Sequence, residues 1–175
     1  MKQINATKSL IALVLLGTAA LPIQAELGNG DILHFGTGSK VSMEVSPGFW
    51  INTPIAASTG LIIGEAQADN SIDAPFHLFE QPTHHLNSEP VAVIDADAGS
   101  AVLDFSAWAM SWRGTVILLG AGGDNEQGEG VAVVQCDNGC VKGEAFKLNY
   151  SATLPVDTVS LAGLPYRLQL VGTIE

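Results

Sequence analysis

Positive charge is scarce in this sequence. Its 7 lysines and arginines are outnumbered by 18 aspartates and glutamates, which gives a formal net charge of −11 at pH 7. A surface of this kind repels nucleic acid and anionic lipid, so neither is an expected partner. The negative charge favours solubility outside the cell, and it also attracts divalent cations.

Recognisable catalytic motifs are missing as well. The sequence contains no Gly-x-Ser-x-Gly elbow and no His-Glu-x-x-His motif, and its cysteines match no nucleophile motif. The acidic pair of a glycoside hydrolase has no fixed sequence spacing, so that type of enzyme leaves no signature. We therefore expect a non-catalytic protein, with a secreted hydrolase as the weakest alternative.

Cysteine occurs only twice, at Cys136 and Cys140. The residues between them, Asp137-Asn138-Gly139, are typical of a turn, because asparagine and glycine tolerate positive φ. We predict a hairpin in which residues 131–135 pair with residues 141–146 or their neighbours, and in which the two cysteines form a disulfide. A redox pair normally has two intervening residues, and a zinc site needs two more ligands. A structural disulfide indicates an oxidising compartment.

The first 25 residues have the pattern of a secretory signal peptide. Two lysines precede an apolar run at residues 10–21, Pro22 ends that run, and Ala25 is a small residue suited to signal peptidase. Cleavage would leave one domain, residues 26–175, with a net charge of −13 from 5 basic and 18 acidic residues. The expected location is secreted or periplasmic. No later stretch is apolar enough to cross a membrane.

The remaining sequence favours short β-strands. Alternation is clear where Val41, Met43 and Val45 share one face. It recurs at residues 146–150 and 166–170, where the apolar residues are predicted to face inward and Arg167 and Gln169 outward. No segment has a sustained helical period. Glycines and prolines separate the strand-like runs. We predict an all-β fold, an antiparallel β-sandwich of about eight or nine short strands, with a β-barrel as the alternative. Predicted strands lie at residues 31–35, 40–45, 61–63, 91–94, 102–112 (one strand or two), 115–119, 131–135, 145–151 and 166–174, whereas residues 47–58 and 69–90 are expected to be irregular.

Three histidines raise the question of a metal. His77, His84 and His85 fall within residues 69–90, near several carboxylates. Imidazoles and carboxylates can hold zinc or copper outside the cell. Their spacing matches no defined site, and a polar loop with exposed histidines is the simpler interpretation. We expect no cofactor and keep a divalent metal at these three residues as an alternative.

Tryptophan is the residue type best suited to stacking on a sugar. Trp50, Trp108 and Trp112 could together form such a platform. Tryptophans in a β-sandwich more often belong to the core. The sequence leaves both interpretations open.

One run is distinctive, Leu103-Asp-Phe-Ser-Ala-Trp-Ala-Met-Ser-Trp-Arg-Gly114. Together with residues 43–50, 60–64, 131–141, 148–152 and 166–174, it resembles a family of uncharacterised secreted proteobacterial proteins. Many of those proteins carry a C-terminal PEP-CTERM (exosortase) sorting signal. The resemblance implies a β-rich protein associated with the cell surface or extracellular matrix and lends no known chemistry. This sequence shows no Pro-Glu-Pro motif, apolar helix or basic tail at its end, so a released or periplasmic product is expected.

Three functions are consistent with these patterns. The first is a secreted, non-catalytic β-sandwich that acts by interaction with a surface or matrix polysaccharide or protein. The second is an extracellular binding module for a divalent metal or a carbohydrate, at the histidines or the tryptophans. The third and weakest is a secreted hydrolase.

Overall fold

A computed structural model describes residues 26–68, 70–97, 99–120, 130–155 and 161–175. The predicted signal peptide lies outside these residues. Nearly all of the regular structure is β-strand, and every strand pairing is antiparallel, which confirms the predicted all-β fold. Within the described ranges, no helix combines the length and apolarity needed to cross a lipid bilayer.

The described residues form thirteen strands in two sheets. The strands are β1 (Ile32–Phe35), β2 (Lys40–Ser46), β3 (Phe49–Pro54), β4 (Leu61–Ile62), β5 (Phe76–Leu78), β6 (Gln81–Asn87), β7 (Val93–Asp97), β8 (Ser100–Asp104), β9 (Trp108–Trp112), β10 (Thr115–Leu118), β11 (Val131–Cys136), β12 (Ala145–Thr153) and β13 (Pro165–Ile174).

The larger sheet has nine strands, and its main path runs β3-β2-β13-β12-β11-β8-β7. β13 is shared between two partners on one side, pairing with β2 near its start and with β1 near its end. β12 and β13 are the longest strands and pair along the whole length of β12. They therefore form the centre of the sheet.

Alternation of apolar and polar residues builds these two central strands. Phe146, Leu148 and Tyr150 of β12 are buried, as are Leu168 and Leu170 of β13, while the residues between them face outward. The sequence predicted this facing, and the structure confirms it. Burying one such side chain stabilises the fold by about 1.5–3 kcal/mol.

The smaller sheet, in the order β10-β9-β6-β5, packs on the inner face of the larger one. Aromatic rings connect the two layers. The Trp108 ring of β9 stacks on Phe105 with centroids 4.7 Å apart, and Phe105 lies 5.2 Å from the ring of Tyr150 on β12. Both sheets are open in the part of the chain described, so the sandwich prediction is confirmed over the barrel.

The structure corrects the prediction of two irregular stretches. Residues 47–58 contain β3, and residues 69–90 contain the hairpin of β5 and β6. That hairpin turns at Phe79 and Glu80, both in the left-handed region with φ of 51° and 63°. Hairpin turns with positive φ normally carry Asn or Gly, so the sequence signal for this hairpin was missing. These three missed strands, and the division of the predicted stretch 102–112 between β8 and β9, explain why the predicted strand number was too low.

The disulfide forms as predicted, but its hairpin differs. Cys136 and Cys140 are bonded, with their Cα atoms 5.3 Å apart. β11 pairs with β12 from Val133↔Asn149 to Cys136↔Phe146, so residues 137–144 form the connection, and the ladder contains Phe146 and the three residues that follow the predicted segment 141–146. The disulfide links the last residue of β11 to the connection, so it does not join two paired strands.

Candidate functional site

The three tryptophans lie in different surroundings. Trp108 and Trp112 face the core, with exposed fractions of 1% and 8%. The indole N–H of Trp112 donates to the carbonyl oxygen of Leu78 at 3.2 Å. These two residues match the core interpretation, because a covered ring cannot stack on a surface ligand. Trp50 differs, since it lies partly exposed on β3.

Trp50 borders an open groove on the outer face of the large sheet, where β3, β2, β13 and β12 lie side by side. We call this the outer-face groove, and its volume is about 260 Å³. An open groove of this size accommodates one unit of a longer chain better than it encloses a whole ligand. The outward side chains that line it are those of Lys40, Ser42, Trp50, Asn52, Asn149, Ser151, Arg167 and Gln169.

Strand pairing brings these distant residues together. Ser42 is opposite Asn52 on one side and Arg167 on the other, and Arg167 is in turn opposite Ser151. The next outward row, two residues along each strand, places Lys40 beside Gln169. Because outward positions recur every second residue, the groove is a regular grid of polar side chains.

Arg167 and Trp50 form the clearest contact in the groove. The guanidinium carbon of Arg167 lies 4.0 Å from the centre of the Trp50 ring, within the range of a cation–π interaction. Arginine stacks through the flat face of its guanidinium, so its N–H groups stay available in the plane of the group. The guanidinium therefore covers one face of the Trp50 ring, and the pair presents its N–H donors beside the part of the ring that stays exposed.

The remaining groove residues supply neutral hydrogen-bonding groups. The hydroxyl of Ser42 donates to the side-chain oxygen of Asn52 at 2.7 Å, which fixes the Asn52 amide. Asn149 and Asn52 are exposed, and Gln169 is half-buried. Amides both donate and accept, as sugar hydroxyls do. The groove thus matches a polar, hydroxyl-rich ligand.

The predicted metal histidines do not come together. His77 is exposed on β5, and His84 and His85 are consecutive on β6, so their side chains point to opposite faces of the sheet. His85 is buried, with 1% exposure. In the ranges that the structure covers, no three His, Cys, Asp or Glu side chains are grouped as metal ligands.

His85 instead belongs to a buried polar network. Its Nδ1 lies 2.5 Å from Oδ2 of Asp73, and its Nε2 lies 2.8 Å from the hydroxyl of Tyr166. The second oxygen of Asp73 accepts the backbone N–H of His85 at 2.8 Å. All three side chains are at most 1% exposed, so the network has no contact with a substrate. Its position between β6 and β13 makes it a bridge between the two sheets.

Both tyrosines of the chain are buried and titrate late. Burial raises the pKa of Tyr166 well above its ordinary value of 10.0 and also raises the pKa of Tyr150. The Tyr150 hydroxyl donates to the carbonyl oxygen of Leu119 at 2.9 Å. The two phenols therefore stay protonated above pH 10 and keep their hydrogen bonds within the core.

No protein-family model, curated protein or solved structure matches this chain. The resemblance to the PEP-CTERM-associated family stays a prediction. The function has to be inferred from the outer-face groove itself.

Sequence reasoning found Trp50 but not the polar residues around it. Lys40 and Ser42 were recognisable as residues of one strand, and Arg167 and Gln169 as outward residues of another. Nothing in the sequence showed that β13 inserts between β2 and β12. The available signal was the unusual number of amides and hydroxyls on outward positions of the predicted strands.

Proposed function

We propose that this protein is a secreted, non-catalytic β-sandwich module that binds polysaccharide in the outer-face groove. The observation that carries the proposal is Trp50 at the edge of a groove lined by amide, hydroxyl and cationic side chains. An aromatic ring beside hydrogen-bonding groups suits a sugar, which has apolar ring faces and hydroxyl edges. The disulfide supports an oxidising compartment.

Polysaccharide binding also accounts for the expected surface or matrix association. A secreted protein can be retained there by the polymer it binds. An open groove suits a polymer, because a long chain can enter and leave it along the sheet. Trp50 itself lies on β3, which is the edge strand of the large sheet on this side.

The proposal is tested by electrophoresis of the secreted protein through gels that contain soluble neutral or acidic polysaccharides. At least one polymer should retard the protein, and Trp50→Ala should weaken its affinity about tenfold, or ~1.4 kcal/mol. Phe49→Ala is the matched control, because Phe49 is a neighbouring aromatic residue with 60% exposure that does not line the groove.

Two results would contradict the proposal. One is free migration of the wild-type protein through every gel. The other is equal retardation of the wild-type and Trp50→Ala proteins. Thermal unfolding of both variants must show the same fold as wild type, so that a loss of retardation reports the groove.

A further inference from the structure

Charge is unevenly distributed over this acidic protein. The four strands that form the outer-face groove, β2, β3, β12 and β13, contain one acidic residue, Glu44, and the other 17 of the 18 acidic residues lie elsewhere. The same strands contain Lys40, Lys147 and Arg167, which are three of the five basic residues after residue 25. Lys40 and Arg167 line the groove and Lys147 lies beyond its lining on β12, so this face of the large sheet is a cationic area on an anionic molecule.

The three cations all point outward and surround one position. Arg167 and Lys147 lie on adjacent strands, and Lys147 is opposite Val171, so their rows are about 13 Å apart along the strands. Lys40 lies on the far side of β13, opposite Gln169, between those two rows. Lys40 and Lys147 are two strand spacings apart across the sheet, about 10 Å, and two residues apart along the strands. The cations thus frame Gln169 from three sides.

These cations are not used for internal ion pairs. Among the described residues, Lys142 pairs with Asp31 at 3.5 Å, whereas Lys40, Lys147 and Arg167 have no carboxylate partner. The nearest acidic strand residue, Glu44, accepts the backbone N–H of Gly48 at 2.6 Å. Arg167 is held by its stack on Trp50 with its in-plane N–H groups directed to no protein carboxylate.

We infer that the outer-face groove selects a carboxylated polysaccharide, with a uronic acid carboxylate bound by Arg167. This inference rests on the proposed function and adds the class of ligand. A guanidinium that is already held by stacking loses little further conformational freedom when it binds a ligand. Its N–H groups can form two parallel hydrogen bonds to one carboxylate. Lys40 and Lys147 receive carboxylates of neighbouring sugar units.

The negative net charge does not prevent this selection. Charges are screened over about 8 Å at physiological ionic strength, so a ligand in the groove senses mainly the nearby cations. Nucleic acid is the less suitable polyanion. Its phosphates are spaced every few ångströms and call for more cations than three, whereas the groove offers amides and hydroxyls that match sugar hydroxyls.

The test is calorimetric titration of the secreted protein with polygalacturonate and with the same polymer after chemical reduction of its carboxyl groups. We expect polygalacturonate to bind at least tenfold more tightly than the reduced polymer. Arg167→Gln should weaken polygalacturonate binding about tenfold and leave the binding of the reduced polymer unchanged. Arg113→Gln is the control, because Arg113 lies 5.1 Å from the ring of Trp112 on the other sheet and should alter neither titration.

The outcomes separate the two proposals. Equal binding of the native and reduced polymers, or polygalacturonate binding that Arg167→Gln does not change, overturns the carboxylate inference and leaves polysaccharide binding intact. Binding of single-stranded DNA as tight as that of polygalacturonate also overturns it. If the protein binds neither these two polymers nor any polysaccharide of the electrophoretic panel, the proposed function itself fails.

Discussion

His84 and His85 are neighbours in sequence, but His84 is partly exposed and His85 is buried. The face of the strand on which each residue lies therefore decides its role. The side chain of His85 faces the core and is satisfied at both ring nitrogens by Asp73 and Tyr166. Sequence reasoning placed both histidines in a loop as candidate metal ligands. Once β6 is recognised as a strand, alternation alone separates them.

Replacing His85 should therefore strongly destabilise the protein. The variant His85→Leu leaves the Asp73 carboxylate buried without its imidazole partner, and the Tyr166 hydroxyl loses its own partner. Breaking a buried pair from one side typically costs about 3–5 kcal/mol. We expect a loss of that size in the free energy of unfolding, measured by urea denaturation. The exposed residue His77 is the control, and His77→Leu should change stability by less than about 0.5 kcal/mol. A His85→Leu protein as stable as this control would show that the network contributes nothing.

At the scale of elements, strand faces were predictable and strand neighbours were not. The inward and outward residues of β12 and β13 follow from alternation, because a side-chain period of two is a local property. The order β3-β2-β13-β12 depends on pairing between residues more than a hundred positions apart. The groove residues could thus be assigned to outward faces from sequence, but their assembly into one groove could not.

The hairpin of β5 and β6 was missed for a different reason, since its turn residues are unfavourable. Phe79 and Glu80 both have positive φ, which costs an ordinary residue about 1–2 kcal/mol. Phe79 is kept in place by its packing against the core, whereas the side chain of Glu80 is exposed at the turn. Tertiary contacts therefore impose a turn that local preference does not supply.

Glycine at position 80 should relieve this strain. The gain of about 1–2 kcal/mol is partly offset by about 0.4–1 kcal/mol of extra unfolded-state entropy. We expect Glu80→Gly to raise the free energy of unfolding by about 0.5–1 kcal/mol in urea denaturation. The same substitution at Glu89, an exposed residue without positive φ, should lower it by a similar amount. Equal effects of the two substitutions would show that the turn is not strained.

At the scale of the whole molecule, the two sheets have separate roles. The inner faces meet through a chain of rings that runs from Phe105 and Trp108 to His85 and Tyr166. This contact fixes the large sheet on the smaller one. The outer face of the large sheet then supports the groove on a rigid base, because β12 and β13 contribute buried side chains inward and groove residues outward.

The two tyrosines buried between the sheets should make the stability of the protein fall at alkaline pH. Tyr150 and Tyr166 are the only tyrosines in the sequence, and burial raises the pKa of each above the ordinary value of 10.0. The folded state therefore retains two protons that the unfolded state releases above pH 10, so stability is fully present below that pH and falls as the pH rises further. With both phenols contributing, the free energy of unfolding should decline by about 2.7 kcal/mol per pH unit above pH 10.

Urea denaturation at intervals from neutral to strongly alkaline pH measures this slope, and tyrosinate absorbance followed in parallel should appear only as the protein unfolds. Tyr150→Phe provides the matched variant. It loses the hydrogen bond to Leu119, which costs about 1 kcal/mol at neutral pH, and it should halve the alkaline slope because one phenol remains. Tyrosinate absorbance that rises near pH 10 in the folded protein would contradict the raised pKa values. If the free energy of unfolding of Tyr150→Phe falls with pH as steeply as that of the wild type, Tyr150 does not contribute to the alkaline sensitivity. That sensitivity then comes from Tyr166 or from groups other than the two tyrosines.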